Sequence, residues 1–256
     1  MTAALGFSVY GDAGAPALLL GNSLGTTSQM WSAQIPELAR HFYVIAFDHR
    51  GHGKSEAPVQ PWEIGDLGGD VVALLDRLGV DCASYAGVSL GGMVGLWIAA
   101  NAPARLDRLL VICTSAHLAA PDYWRERASK VRASGIAAIV DPVVERWFTP
   151  AFARRLPSVV RDYKESMAQL APDGYAACCE VVGRLDLRQD LARIATPTMV
   201  VAGADDQAIP PEHGAAIAKG IAGASFVTVA DAAHLANVEQ PSVITQLMLD
   251  HLPAKE

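Results

Sequence analysis

Tyr85-Ala86-Gly87-Val88-Ser89-Leu90-Gly91-Gly92-Met93 places a Gly87-x-Ser89-x-Gly91 core where one hydrophobic pattern gives way to another. The apolar run Cys82 to Ala86 has the length of a short buried strand, and Leu90 to Asn101 reads as a helix. A strand that turns abruptly into a helix forces the residue at the turn into a strained backbone conformation. Glycines flank it because side chains there would collide with the neighbouring strand and helix. The strain holds the Ser89 hydroxyl above the sheet, at a helix N-terminus whose first N–H groups lack intrahelical partners. That is a place for a nucleophile whose attack creates an oxyanion. A Gly-rich turn with an incidental serine would look the same locally, so a base and an acid must come from elsewhere in the chain.

Upstream, residues 5–21 hold two short strand candidates separated by the turn Gly11-Asp12-Ala13-Gly14. The second, Ala17 to Leu20, is continuously apolar, as suits a strand buried on both faces. It runs into the small-residue loop Gly21-Asn22-Ser23-Leu24-Gly25-Thr26-Thr27, ahead of a helix expected over Trp31 to Arg40. A strand Tyr43 to Phe47 ends in Asp48-His49-Arg50-Gly51-His52-Gly53-Lys54-Ser55. In Asp66 to Leu78, Leu67, Val71, Leu74, Leu75 and Leu78 share one helical face, and Gly79 is the stop.

Downstream of the serine helix lies a strand at Leu109 to Cys113, and then strand signals cease from about Ala119 to Leu191. That stretch carries Trp124, Trp147, Tyr163 and Tyr175 and is cut into short helices by Pro142, Pro150, Pro157 and Pro172. Strands resume at Pro197 to Ala202 and Ser225 to Val229, with helices at Glu212 to Lys219 and Gln240 to His251. Strands alternating with helices, interrupted once by a helical block, predict an α/β fold. Its mostly parallel sheet would be flanked by helices, with a core of residues 1–118 and 192–256 and an inserted helical cap of residues 119–191.

The 256 residues are 51% hydrophobic and 18% charged, enough for one large domain with a sizeable core. No apolar run approaches the roughly 20 residues of a membrane span, and the N-terminus has no basic region followed by an apolar core. The expectation is therefore no membrane association and no signal peptide. Cys82, Cys113, Cys178 and Cys179 have no metal-ligand spacing; two of them fall in predicted buried strands, and a reduced, cytoplasmic setting is the simpler reading. A net charge of −7 with no offsetting Lys/Arg cluster argues against nucleic acid.

A serine at such a turn works with an acid and then a histidine later in the chain. Thr198 to Gly203 runs into Ala204-Asp205-Asp206-Gln207-Ala208-Ile209-Pro210, which puts a carboxylate just past a strand's C-terminal end, on the edge of the sheet that carries Ser89. Asp206 fits G-x-x-D-x-x-x-P counted from Gly203 to Pro210, and Asp205 competes with it. After the next strand, Ala230-Asp231-Ala232-Ala233-His234-Leu235-Ala236-Asn237-Val238-Glu239-Gln240-Pro241 brings His234 in the required third place. Serine is a poor nucleophile until a base takes its proton; His234 can accept it near neutral pH and pass it to a leaving group. A buried aspartate holds the histidine tautomer and stabilises the imidazolium. The oxyanion would be held by the N–H groups of Leu90 and of Leu24, with Ser23 the nearest rival to Leu24.

Together these residues resemble the α/β-hydrolase superfamily from about residue 5 to the C-terminus. Three stretches are similar to the 3-oxoadipate enol-lactonases: Asn22-Ser23-Leu24-Gly25-Thr26, Gly174-Tyr175-Ala176-Ala177-Cys178-Cys179, and Ala233 to Pro241. The segment Asp48-x-Arg50-Gly51-His52-Gly53-x-Ser55 belongs to the wider superfamily and reads as structural. After Ser55 the chain departs from the pattern, lacking an aromatic-Thr pair in Glu56 to Glu63. The resemblance implies a serine hydrolase that opens a small-molecule enol lactone through an acyl-enzyme, with no metal and no organic cofactor. A cap must exclude water and grip a small ring, so Trp124, Trp147 and their aromatic neighbours should line an apolar roof over Ser89, the alternative being that these rings pack the cap helices against each other. A substrate carboxylate would need a local cation, and Arg125, Arg127, Lys130 and Arg132 all crowd the first cap helix. Rival readings are a carboxylesterase or cofactor-free perhydrolase of the same fold, or a hydrolase-fold butenolide receptor.

Overall fold

The strands of the computed structural model, which describes residues 2–58 and 61–252, are β1 (Phe7–Tyr10), β2 (Ala17–Gly21), β3 (Tyr43–Phe47), β4 (Ala83–Val88), β5 (Leu106–Ile112), β6 (Thr198–Gly203) and β7 (Ser225–Val229). They form one sheet in the order β1-β3-β2-β4-β5-β6-β7, parallel throughout except where β1 pairs antiparallel to β3. The Gly11 to Gly14 turn therefore joins strands that are not neighbours.

The helices on the sheet are α1 (Ile35–Leu38), α2 (Ile64–Leu78) and α3 (Leu90–Asn101). Between β5 and β6 stand α4 (Pro121–Ser134), α5 (Val140–Val144), α6 (Pro150–Arg155), α7 (Pro157–Ala168) and α8 (Pro172–Arg184). After β6 come α9 (Pro211–Gly220), α10 (Ala236–Glu239) and α11 (Pro241–His251). The architecture is a mostly parallel sheet flanked by helices.

Local sequence explains most boundaries. β2 and β4 are apolar because both their faces are covered: Leu18, Leu19, Leu20, Tyr85, Ala86 and Val88 are fully buried. Helix α2 starts at a capping box, in which Glu63 N–H donates to Asp66 Oδ2 at 2.8 Å, and stops at Gly79 with φ 67°. The helix expected over Trp31 to Arg40 is instead a 3-10 turn, Ser28–Trp31, and the single turn of α1. Pro36 has no N–H for the bond that would join them, so it opens a new helix instead of continuing one. Cys82, expected inside a buried strand, is exposed one residue before β4, whereas Cys113 is buried just beyond β5. Residues 59 and 60, within the departure that follows Ser55, lie outside the described residues.

The strand order reverses between β2 and β4, and that is where the site forms. β2 leads on to β3 on one side, and the chain then returns to place β4 on the other. Loops leaving the C-terminal ends of two such strands diverge and leave a crevice. Gly21 pairs with Gly87 across β2 and β4, so the loop after β2 and the turn carrying Ser89 leave the sheet side by side.

Candidate active site

Ser89 has φ 55° and ψ −114°, a conformation costly for a residue with a side chain. Its N–H donates to Ile112 O at 2.9 Å, and its carbonyl accepts from Thr114 Oγ1 at 2.7 Å, so the end of β5 holds it on both sides. A Cβ on Gly87 would lie 2.5 Å from the Gly91 carbonyl carbon, and one on Gly91 the same distance from that of Gly21. Both positions require glycine because the serine turn, α3 and β2 touch backbone to backbone.

Asp206 and His234 meet as their order predicts. His234 Nδ1 lies 2.9 Å from Asp206 Oδ2, and the other carboxylate oxygen accepts from the N–H groups of Ala208 (2.8 Å) and Ile209 (2.9 Å). An ionised carboxylate only accepts, so Nδ1 carries the proton and Nε2 is left as an acceptor. Asp206 is buried and Asp205 exposed, and Asp206 is the one bonded to the imidazole. Nε2 of His234 lies 3.4 Å from the hydroxyl of Ser23, while Ser89 and His234 line the same cavity.

In the loop after β2, Ser23 N–H points at the sulfur of Met30 (3.4 Å), Gly25 N–H donates to His52 Nε2 (3.2 Å) and Thr26 N–H donates to Ser23 O (3.1 Å). Leu24 N–H has no acceptor among the described residues, and neither has Leu90 N–H at the start of α3. Of the two candidates in this loop, the geometry leaves Leu24 as the available donor and commits Ser23 N–H to Met30.

The cavity encloses about 530 Å³ of space, with open solvent at its mouth included. Trp124 and Trp147 line it, as does Tyr123; Tyr163 and Tyr175 do not. Tyr163 instead meets Trp147 edge-on, with centroids 6.2 Å apart, and Tyr175 is buried beneath the loop after β2. Two guanidiniums reach the cavity, Arg127 from α4 and Arg146 from beyond α5. Both bond the Tyr123 hydroxyl, at 3.4 and 2.8 Å, and Arg127 also donates to the Tyr175 hydroxyl. Neither makes an ion pair among the described residues, and Arg127 Nε is buried with no acceptor. Of the other cations on α4, Arg125 pairs with Asp122 and Arg132 with Glu180, both outside the cavity.

Roof and base are stitched together. Glu239 accepts from Ala233 N–H (2.8 Å), Thr149 N–H (3.1 Å) and Thr149 Oγ1 (2.8 Å), and Leu235 N–H donates to Trp147 O (3.0 Å). Burial pushes the Glu239 carboxyl above its ordinary range despite these donors. Sequence reasoning missed Arg146, Tyr123 and this clasp, which joins segments 90 residues apart. Among the described residues no group of three or more His, Cys, Asp or Glu side chains is arranged to hold a metal ion, and no helix is long and apolar enough to cross a membrane.

A family model described as the alpha/beta hydrolase fold matches residues 16–241. The chain is 40% identical over 238 residues to 3-oxoadipate enol-lactonase 2 of Acinetobacter baylyi, covering 93% of this chain and 89% of that one. Among solved structures, an enol-lactonase from Burkholderia xenovorans superposes with a TM-score of 0.94 at 38% identity, covering 96% and 95% of the two chains. A thermophilic esterase from Thermogutta terrifontis, with malate bound, superposes with a TM-score of 0.90 at 30% identity, covering 96% and 92%.

Proposed function

This chain belongs to the alpha/beta-hydrolase fold family, and from that premise we propose that it hydrolyses 3-oxoadipate enol-lactone to 3-oxoadipate through Ser89, His234 and Asp206. The observation that carries the reading is a cavity lined by a strained serine, a bonded His-Asp pair and two guanidiniums that pair with no carboxylate among the described residues. An uncompensated guanidinium in a half-buried site is stabilised by an anionic ligand. The enol lactone has a carboxylate on one arm and a reactive carbonyl in its ring. Arg127 and Arg146 hold the arm, with residues 119–191 as the cap that carries them, and Trp124 and Trp147 enclose the ring. Relatives named for this activity at 40% and 33% identity support the same substrate class.

His234 Nε2 takes the Ser89 proton as the hydroxyl attacks the ring carbonyl, and the N–H groups of Leu24 and Leu90 bind the oxyanion. Asp206 stabilises the imidazolium at Nδ1. The ring C–O bond breaks, the enol oxygen leaves with the proton from His234, and the enol converts to the ketone. An enol is a better leaving group than an alcohol, so this step needs little acid assistance. Water activated by His234 then releases the acyl group as the second carboxylate of 3-oxoadipate. The substrate is a small molecule, with neither nucleic acid nor membrane involved, and four free thiols suit a cytoplasmic setting.

Purified protein, with no metal or nucleotide added, should convert the lactone to 3-oxoadipate with uptake of one water, followed by chromatography of the product. Ser89→Ala should leave a ten-thousandth or less of kcat, roughly the scale found when a serine nucleophile is removed. The thermophilic esterase at 30% identity favours a second reading, a carboxylesterase. Fast hydrolysis of neutral alkyl esters without lactone turnover would establish that reading in place of the first.

A further inference from the structure

The Asp48 to Ser55 turn reads as scaffold in the sequence, yet two of its side chains bond directly to the loop after β2. His49 Nε2 lies 3.1 Å from Asn22 O, and Gly25 N–H donates to His52 Nε2 at 3.2 Å. His49 and His52 are each 2% exposed, and neither lines the cavity. We propose that His52 is a positioning residue for the reaction: by presenting an acceptor to Gly25 N–H, it fixes the loop so that Leu24 N–H faces the developing oxyanion. This rests on the reading of Ser89 as the nucleophile.

The bonds determine the tautomer. A backbone N–H only donates, so Nε2 of His52 must be unprotonated. Its Nδ1 lies 3.3 Å from Arg50 O, a carbonyl that only accepts, so Nδ1 carries the proton. A neutral imidazole has one donor and one acceptor on opposite sides of a rigid ring, and this position uses both. A methionine or leucine could fill the space without making either bond.

The bond from His52 completes a set that holds this loop on both sides of Leu24. Gly25 has φ +89°, and a Cβ there would lie 3.2 Å from the Tyr175 ring and 3.3 Å from the Trp147 ring. The loop is pressed by the rings of the helical insert, and His52 holds it by a hydrogen bond. Asn22 O is held by His49 and by Gly91 N–H (2.9 Å), and Ser23 O by Thr26 N–H and Thr26 Oγ1 (2.8 Å). With the carbonyls before Leu24 and the N–H after it all committed, the peptide carrying Leu24 N–H cannot turn away. A backbone donor stabilises a transition state only if its direction is set before the charge appears, since reorganisation during reaction would cancel its benefit. The turn also touches the insert, since a Cβ on Gly174 would lie 2.4 Å from Gly51 O, and the His52 and Tyr175 rings are 6.3 Å apart. Tyr175 accepts in turn from Arg127, so a line of contacts joins the cavity cation to the loop.

The test compares His52→Leu, which removes the acceptor at similar volume, with His52→Gln, which keeps one at similar reach. His52→Leu should lower kcat for the lactone about ten- to a hundredfold with KM changed no more than about twofold, because the lost interaction belongs to the transition state. His52→Gln should recover most of that loss. Equal losses in both variants, or a loss confined to KM, would overturn the proposal in favour of simple packing. If His52→Leu does not fold, the nitrogen-15 imidazole spectrum of the unaltered protein decides: a neutral ring protonated at Nδ1 supports the proposal and a ring protonated at Nε2 overturns it. Ser89→Ala is assayed alongside. If it keeps turnover, the nucleophile reading falls and this inference with it; if it is inactive while His52→Leu is unimpaired, only the role of His52 falls.

Discussion

At the end of the sheet, Ser89, Asp206 and His234 are placed by backbone: a positive φ, glycines that let strand and helix touch, and N–H groups bonded to a carboxylate. In the roof, Trp124, Arg127, Arg146 and Trp147 are placed by the packing of side chains on short helices. The two regions also differ in charge. The turn beneath the site is packed with imidazoles that burial keeps neutral, while the roof carries guanidiniums. Backbone placement tolerates almost no change and suits bond-making, whereas side-chain placement can vary and suits the choice of substrate.

If that division is right, variants at the sheet edge should cost kcat and variants in the roof should cost KM. The largest effect is expected from Asp206→Asn. An amide can hold the wrong histidine tautomer, so kcat should fall about a thousand- to ten-thousandfold with little change in KM. Asp205→Asn, at an exposed carboxylate, should change kcat less than about threefold. The reverse ranking in steady-state kinetics would move the acid to Asp205.

A smaller effect belongs to the roof. Arg127→Gln should raise KM for the anionic lactone about ten- to a hundredfold, equivalent to about 1.4–2.8 kcal/mol of binding. It should leave a neutral lactone of similar size almost untouched. Equal losses on both substrates would mean that Arg127 holds the roof together instead of the substrate.

The smallest effect concerns stability. Burial, and then the neighbouring His52, push His49 down from its ordinary value to about 3. The unfolded chain binds that proton near pH 6.5, so the contribution is intact above pH 6.5 and is lost as pH falls from there towards 3. The slope is at most about 1.4 kcal/mol per pH unit for this group. His49→Gln keeps a donor for Asn22 O but cannot titrate, so urea unfolding between pH 6.5 and 5 should show a shallower decline than in the unaltered protein. Identical slopes would mean that the imidazole is already neutral in the unfolded chain or charged in the folded one.

Legibility follows the same division. The junction at Ser89, the strand Tyr43–Phe47 and the helix Leu90–Asn101 were readable because each is a local pattern of hydrophobicity and glycine. Asp206 was favoured over Asp205 by its spacing between Gly203 and Pro210. Choosing Arg127 among the cations of α4 was partly within reach: Trp124, Arg127, Ala128 and Val131 fall at i, i+3, i+4 and i+7, and Ala128 and Val131 are buried. That phase points Arg127 inward and Arg125 outward. Arg146 and the Glu239 clasp had no such signal, because Tyr123 lies 23 residues from Arg146 and Thr149 lies 90 residues from Glu239.

From the chain alone come the alternation of strands and helices, the sheet with its helical interruption, the strained serine turn, and the order in which an aspartate and a histidine follow it. These rest on periodicity and on the stereochemistry of single residues, which act over a few positions. Tertiary structure decided which guanidiniums reach the cavity, which N–H in the loop after β2 is left free, and that a turn read as scaffold holds that loop through His49 and His52. Those outcomes depend on how segments tens to hundreds of residues apart pack, and on which hydrogen-bond donors that packing leaves without an acceptor.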